Sequence, residues 1–316
     1  MDRRKFIIQS AGLTLAGIIA PSLITNYFQY FAKEESTFDL YKPSPQDWKS
    51  DEVNISWIGH STILINMFGT IILTDPVLFD SVGIYVLGLT IGKIRATKPA
   101  LEFNEIPEPD LVLISHAHMD HMDYKSLKEL TEKYPGKADC ITAYNTKDII
   151  EDLKWKSLSE LDWGESVYND ELKITGIAVN HNGFRLPGEM DRADGYILNG
   201  RSYNGYILEK YKKKILFAGD TAYTEKFKQH RSKNIDVAIM PIGGYIPHQN
   251  RHCNPEESLI MASEHLGAEY FIPIHCNTFD GDEGFHAPID WMLKSAVNYN
   301  IEIGISEIGQ TLTLDG

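Results

Sequence analysis

From Val53 onward the apolar residues fall in short, separate runs, rich in Ile, Val and Leu and bounded by Gly, Pro, Asn or Asp. That rhythm predicts strands with helices between them. Residues 53–57 read as a strand, and 62–67 with 70–74 as a hairpin about Gly69. Leu111-Val112-Leu113-Ile114 reads as a buried strand, and 124–134 as a helix stopped by Pro135-Gly136. Further strands are expected at 141–144, with Cys140 beside it in the core, and at 171–180, 237–240 and 270–274. Residues 206–211 with 214–218, and 301–305 with 310–314, read as hairpins. Helices are expected at 146–153 with Asn145 as cap, at 222–230, and from Pro255, capped by Asn254 and closed by Gly267. Residues 77–98 are apolar but irregular, which fits core packing or a lid. The pattern repeats in two loosely similar halves, the first ending near residue 200.

The first 52 residues stand apart. A charged start, Asp2-Arg3-Arg4-Lys5, precedes a run from Phe6 to Ala32 without Lys, Arg, Asp or Glu. This reads as an export signal or an N-terminal anchor over residues 1–32, and the paired arginines resemble a twin-arginine signal. Export to the periplasm, or anchoring in a membrane facing it, is expected rather than a cytoplasmic location. Residues 33–52 are polar, carry Pro43 and Pro45, and read as a linker into a domain spanning 53–316.

Composition narrows the function. The 316-residue chain is 43% hydrophobic, enough for a large core, and its net charge of −14 speaks against a nucleic-acid-binding role. Three cysteines, Cys140, Cys253 and Cys276, do not suggest a disulfide framework. Cys276 reads as a buried thiol, with a soft metal ligand as the alternative.

The chemistry concentrates after the strand at 111–114, in Ser115-His116-Ala117-His118-Met119-Asp120-His121-Met122-Asp123. Imidazole and carboxylate are ligands for zinc and similar divalent ions. His116 and His118 can face one ion, and Asp120 and His121, a turn further on, a second. His181, Asp220 and His275 each stand just past an expected strand. Asp75 is a candidate to orient a ligand imidazole, or a turn aspartate. His60 faces the cavity or bonds backbone.

His-x-His-x-Asp-His resembles the signature of the metallo-β-lactamase fold hydrolases. Trp57-Ile58-Gly59-His60-Ser61-Thr62, Gly219-Asp220-Thr221, Pro241-Ile242-Gly243-Gly244-Tyr245 and Asn254-Pro255-Glu256-Glu257 are similar to the branch of N-acyl-phosphatidylethanolamine phospholipase D and the ascorbate-phosphate lactonase-like proteins. The resemblance implies an α/β fold, a four-layer αββα sandwich. It implies two divalent cations, zinc by default. The first is held by His116, His118 and His181, the second by Asp120, His121 and His275, with Asp220 shared. Asp120 also orients the nucleophile. His252 matches a histidine facing the substrate, with a plain loop histidine as the alternative. Arg185 matches an arginine that reads phosphate or carboxylate, with a salt bridge to Glu189 or Asp191 as the alternative. Asn199-Gly200 and Asn204-Gly205 stand where the family has a Trp-Gly pair, so the edge of the pocket differs there. Related flavodiiron oxygen reductases carry Glu at the position of His118, and an imidazole there favours hydrolysis. The expected substrate is a small molecule or lipid. A phosphodiester such as N-acyl-phosphatidylethanolamine leads, a lactone or other cyclic ester is the alternative, and a non-catalytic zinc-stabilised binding protein is the rival of a different class.

Overall fold

The structure is a computed structural model that describes residues 41–316. The expected export segment 1–32, and the linker up to residue 40, lie outside the described residues. Residues 41–85 and 90–316 belong to one compact unit. Part of the expected linker packs against it: Trp48 joins an apolar cluster, and Asn66 Nδ2 donates to Lys49 O at 2.7 Å.

The strands are β1 (Glu52–Gly59), β2 (Thr62–Met67), β3 (Thr70–Thr74), β4 (Ser81–Val86), β5 (Leu89–Ile94), β6 (Leu111–Ile114), β7 (Asp139–Ala143), β8 (Ser157–Leu161), β9 (Ser166–Asn169), β10 (Leu172–Ala178), β11 (Asn204–Lys210), β12 (Lys213–Phe217), β13 (Val237–Pro241), β14 (Tyr270–Ile274), β15 (Glu302–Ile303) and β16 (Thr311–Asp315). One sheet runs β16-β1-β2-β3-β6-β7-β8 and the other β15-β14-β13-β12-β11-β10-β9. Each sheet is antiparallel over its first-made strands and parallel beyond them: β3-β6-β7-β8 in one, β12-β13-β14-β15 in the other. The two sheets share one apolar core, to which β1 contributes Val53, Ile55 and Trp57 and β11 contributes Tyr206 and Leu208, all fully buried. This is the inner pair of layers in the expected αββα sandwich.

The outer layers follow from the helices. In α1 (Tyr124–Lys133), Asp123 caps the first turn by accepting from Ser126 N. Leu127 and Leu130 are buried beside Val112, Ile114 and Cys140. Leu127→Ala would cost about 2–5 kcal/mol, the usual range for emptying such a site. On the other side, α2 (Pro255–Ile260) starts with the expected Asn254–Glu257 capping box. It continues as a π-helical turn over Met261–Leu266 and ends at Gly267, φ 67°. Its Leu259 and Met261 join the main core. The helix α3 (Ala287–Ala296) buries Ile289 and Met292 there too.

Several local expectations are corrected. Residues 146–153 form only a 3-10 turn, Lys147–Ile149. Asn145 is no cap. It sits at φ 59°, and Glu160 Oε1 accepts from Thr146 N and Lys147 N instead. The 222–230 helix is a 3-10 coil, Glu225–Lys233, capped by Thr224 and burying only Phe227. Residues 301–305 and 310–314 do not pair: β15 lies beside β14, and β16 crosses to β1 in the other sheet. The halves divide between β8 and β9, not near residue 200, because the polar strands β8 and β9 carry no apolar run for the sequence to reveal. Residues 77–98 hold the two-stranded β4–β5 ribbon, which belongs to neither large sheet.

Candidate metal centre and its cavity

The donor side chains all leave from the carboxyl ends of strands or the turns just after them. His116 follows β6, His181 follows β10, Asp220 follows β12 and His275 follows β14 directly. Two glycines make the convergence possible. At Gly219 (φ 59°) a Cβ would lie 2.5 Å from Ser115 Cβ, so only glycine brings Asp220 against β6. At Gly244 (φ 77°) a Cβ would stand 3.0 Å from His275 Cε1 and 3.2 Å from His252 Nδ1.

Two four-residue clusters result, with donor atoms within 4.8 Å of one another: His116, His118, His181 and Asp220 in one, and His60, Asp120, His121 and His275 in the other; Asp220, His252 and His275 form a third, overlapping group. His118 Nδ1 is 2.8 Å from His116 Nε2 and 3.3 Å from His181 Nε2. Asp220 Oδ2 is 3.1 Å from His121 Nε2 and 3.2 Å from His275 Nε2. It is also 3.7 Å from His181 Nε2 and 3.9 Å from His116 Nε2, and so stands between the clusters. All seven expected ligands are brought together.

The opposite nitrogens of these rings are held from behind. His116 Nδ1 donates to Ser115 Oγ at 2.8 Å, and that hydroxyl donates to Asp75 Oδ2 at 2.6 Å. His121 Nδ1 donates to Asp75 Oδ2 at 2.7 Å, which gives Asp75 the ring-orienting role. His181 Nδ1 donates to Arg251 O at 2.9 Å. Asn182 Nδ2 stands 3.2 Å from His118 Nε2. The bonds at Nδ1 of His116, His121 and His181 leave Nε2 of each of these rings to face the cluster.

The residues fit a pair of divalent cations. His121 Nε2, His275 Nε2 and both oxygens of Asp220 are buried without a hydrogen-bond partner, and converging lone pairs and carboxylates repel unless a cation lies among them. Charge within the cluster is polarised accordingly. Burial, reinforced by the neighbouring imidazoles, holds His116 well below the ordinary range, and burial also lowers His181. Against burial, Asp220 and Asp120 raise His275 to about 9. Against burial, His121 and the other imidazoles keep Asp120 and Asp220 well below the usual carboxylate range.

The remaining expected site residues divide. His60 Nε2 donates to Asp120 Oδ2 at 3.2 Å, and burial depresses its pKa to about 3. Its carbonyl accepts from Trp57 Nε1 at 2.8 Å, and its ring faces the cavity rather than a backbone group. His252 Nδ1 is 3.8 Å from Asp220 Oδ2, and burial lowers its pKa to about 4. Arg185 is engaged elsewhere: Nη1 donates to Ala117 O at 2.8 Å and Met122 O at 2.9 Å. Neither expected salt bridge forms at its guanidinium. Glu189 instead pairs with Arg201 at 2.8 Å. Cys276 is a buried free thiol.

A cavity of about 280 Å³ opens beside the second cluster, with His60, Asp120 and His275 in its wall and Met119, Val82 and Phe279 as apolar lining. Asp120 is 34% exposed and Asp220 1%, so Asp120 is the carboxylate that faces the cavity. Ser115, Asn182 and Phe279 were not singled out from the sequence. Ser115 was within reach, adjacent to the first ligand, whereas Phe279 comes from a segment with no motif.

Residues 70–276 match the family model described as Beta-lactamase superfamily domain. An N-acyl-phosphatidylethanolamine-hydrolyzing phospholipase D of Caenorhabditis elegans is 27% identical over 261 residues, 78% of this chain and 70% of that protein. A mitochondrial protein of the same description from Saccharomyces cerevisiae is 29% identical over 238 residues, 71% and 47% respectively. Among solved structures, a metallo hydrolase from Ignicoccus hospitalis superposes with a TM-score of 0.62 at 20% identity, covering 84% of this chain and 99% of that one. At that identity the likeness speaks to the fold.

Proposed function

This chain belongs to the β-lactamase superfamily and is a metal-dependent hydrolase of it, and from that premise we propose that it works with two divalent cations, zinc in both sites, on a phosphodiester. The observation that carries the two-cation reading is the buried, unpartnered Asp220 between two clusters of donors. His116, His118 and His181 would hold one cation, Asp120, His121 and His275 the other, and Asp220 both. Bound divalent cations supply Lewis acidity and lower the pKa of water toward neutrality.

The chain's own residues do the rest. His60 donates from Nε2 and fixes the carboxylate of Asp120, leaving it oriented toward the cavity. Burial keeps His60 and His252 neutral at pH 7; the one N–H of His60 is committed to Asp120, so His252 is the imidazole with an N–H and a lone pair to serve a proton at the reacting group. Arg185 holds Ala117 and Met122, and with them the loop that carries three ligands. The Met119, Val82 and Phe279 wall limits water around the bound ester.

The phosphodiester reading, with a phospholipid of the N-acyl-phosphatidylethanolamine kind as its specific form, is supported by the two phospholipase D relatives. We also propose export and membrane retention through residues 1–32, on the paired Arg3 and Arg4 and the uncharged run that follows. Among the described residues no helix is long and apolar enough to cross a membrane. The test is a product-resolved screen of phosphodiesters against lactones with metal-loaded full-length protein. Release of an alcohol and a phosphomonoester supports the reading. Turnover of lactones alone replaces it with the cyclic-ester alternative.

A further inference from the structure

The sequence offers Arg185 as the cation that meets an anionic substrate, but two backbone carbonyls occupy its Nη1. The cavity has a different cation. Lys93, on β5, lines it together with Asp120 and His275. Its ammonium lies 5.9 Å from the centroid of the Phe279 ring. That ring packs edge-on to His60 at 5.0 Å, and His60 bonds Asp120. Lys93 is thus set one aromatic ring beyond the donor cluster. Among the described residues it has no carboxylate partner, in contrast to Lys42, Lys49, Lys128 and Lys156, which each pair with one. Glu283, also in the cavity wall, accepts from Gly244 N through Oε1 at 2.6 Å, while its Oε2 has no hydrogen-bond partner. The chain as a whole carries −14, so the Lys93 ammonium, with the Arg95 guanidinium at the same 5.9 Å from the Phe279 centroid, is positive charge set within a field that repels anions.

We propose that Lys93 is a specificity-determining residue, the cation that draws in and holds the anionic group of the substrate. The inference rests on the cavity being the substrate site of the hydrolase proposed above, and it names the substrate class as anionic esters. The Lys93 ammonium faces the Phe279 ring, so the charge stands beside the apolar part of the cavity wall. A compact ammonium suits this place because it can follow an anion as the ester settles on the cluster, whereas a planar fork would fix one orientation.

The test uses metal-loaded full-length protein, wild type and the variants Lys93→Gln and Lys93→Arg. The anionic probe is bis(para-nitrophenyl) phosphate and the neutral probe is the lactone dihydrocoumarin. Lys93→Gln should raise KM for the phosphodiester about tenfold, the lower end for losing a hydrogen bond to a charged group. The change in kcat should be much smaller, and so should the change in KM for the lactone. Lys93→Arg should stay close to wild type, and the wild-type advantage should shrink as salt is added. If the phosphodiester is bound but not turned over, the phosphodiester reaction falls, and Lys93 is judged by its Ki as an inhibitor of lactone turnover. Calorimetric binding of the same probe decides the matter where neither ester is turned over. A Ki or Kd that rises in Lys93→Gln supports the inference. Equal effects on both probes, an unchanged affinity for the anionic probe, or no binding of it to wild type overturns it.

Discussion

Asp75 Oδ2 accepts from His121 Nδ1 at 2.7 Å, and Asp75 Oδ1 accepts from Ser115 N at 2.7 Å. One buried carboxylate at the end of β3 therefore fixes both a ligand ring and the start of the ligand loop. Asp75→Asn keeps the size but replaces one acceptor oxygen with a donor and removes the charge that makes His121 a better ligand. Metal affinity should fall by about ten- to a hundredfold, measured by competition with a chelator. An unchanged dissociation constant would make Asp75 a turn residue only.

Arg185→Ala should act on the scaffold. It strips the hydrogen bonds from Ala117 O and Met122 O, on either side of Asp120. Leaving such carbonyls without a partner costs about 1–3 kcal/mol each, so the metal-free protein should melt several degrees lower. Activity should fall by the same factor on charged and neutral substrates at equal metal occupancy. Selective loss on the phosphodiester would restore the anion-reading role.

The reach of the sequence ended at this kind of contact. Every candidate donor was legible, through the family resemblance and because these residues follow strand ends, which short apolar runs mark. Asp75 was legible as a carboxylate at the same kind of position. The partners of Arg185 were not, since backbone carbonyls leave no trace in residue identity. Lys93 was hidden in the irregular 77–98 stretch, where only the ribbon pairing shows which side chains reach the cavity. The exchange of β16 into the first sheet was illegible for a related reason: its register is set by β1 on the far side of the chain, with Leu314 opposite Val53.

Acid and alkali should destabilise the metal-free protein for opposite reasons. Burial, with His275 nearby, lowers His60 from 6.5 to about 3, and burial lowers His252 from 6.5 to about 4. Unfolding lets both take up protons, so their contribution is complete above about pH 6.5 and is lost as pH falls through 4 toward 3. Against burial, Asp220 and Asp120 raise His275 from 6.5 to about 9. Its contribution is complete below about pH 6.5 and is lost as pH rises through 9. Tm measured against pH should therefore peak near 6.5, and His60→Gln should flatten the acid limb alone. A monotonic profile would contradict the charge pattern of the cluster.

Asp220→Asn should leave the fold intact and damage turnover. The amide keeps the volume between the clusters but loses the charge shared by both. The loss should be about a hundredfold or more in kcat, in the range for removing one preorganised electrostatic contact. Circular dichroism should match wild type, and the loss should be the same for every ester the enzyme accepts. Wild-type turnover by this variant would remove Asp220 from the mechanism.

The most direct measurement is the number of divalent ions bound per chain. Full-length protein purified without chelator and dialysed against metal-free buffer should carry two by elemental analysis, one for each donor cluster joined at Asp220. One ion per chain after reconstitution with excess zinc, or two that remain in full when Asp220 is replaced by Ala, would contradict a paired site bridged by that carboxylate.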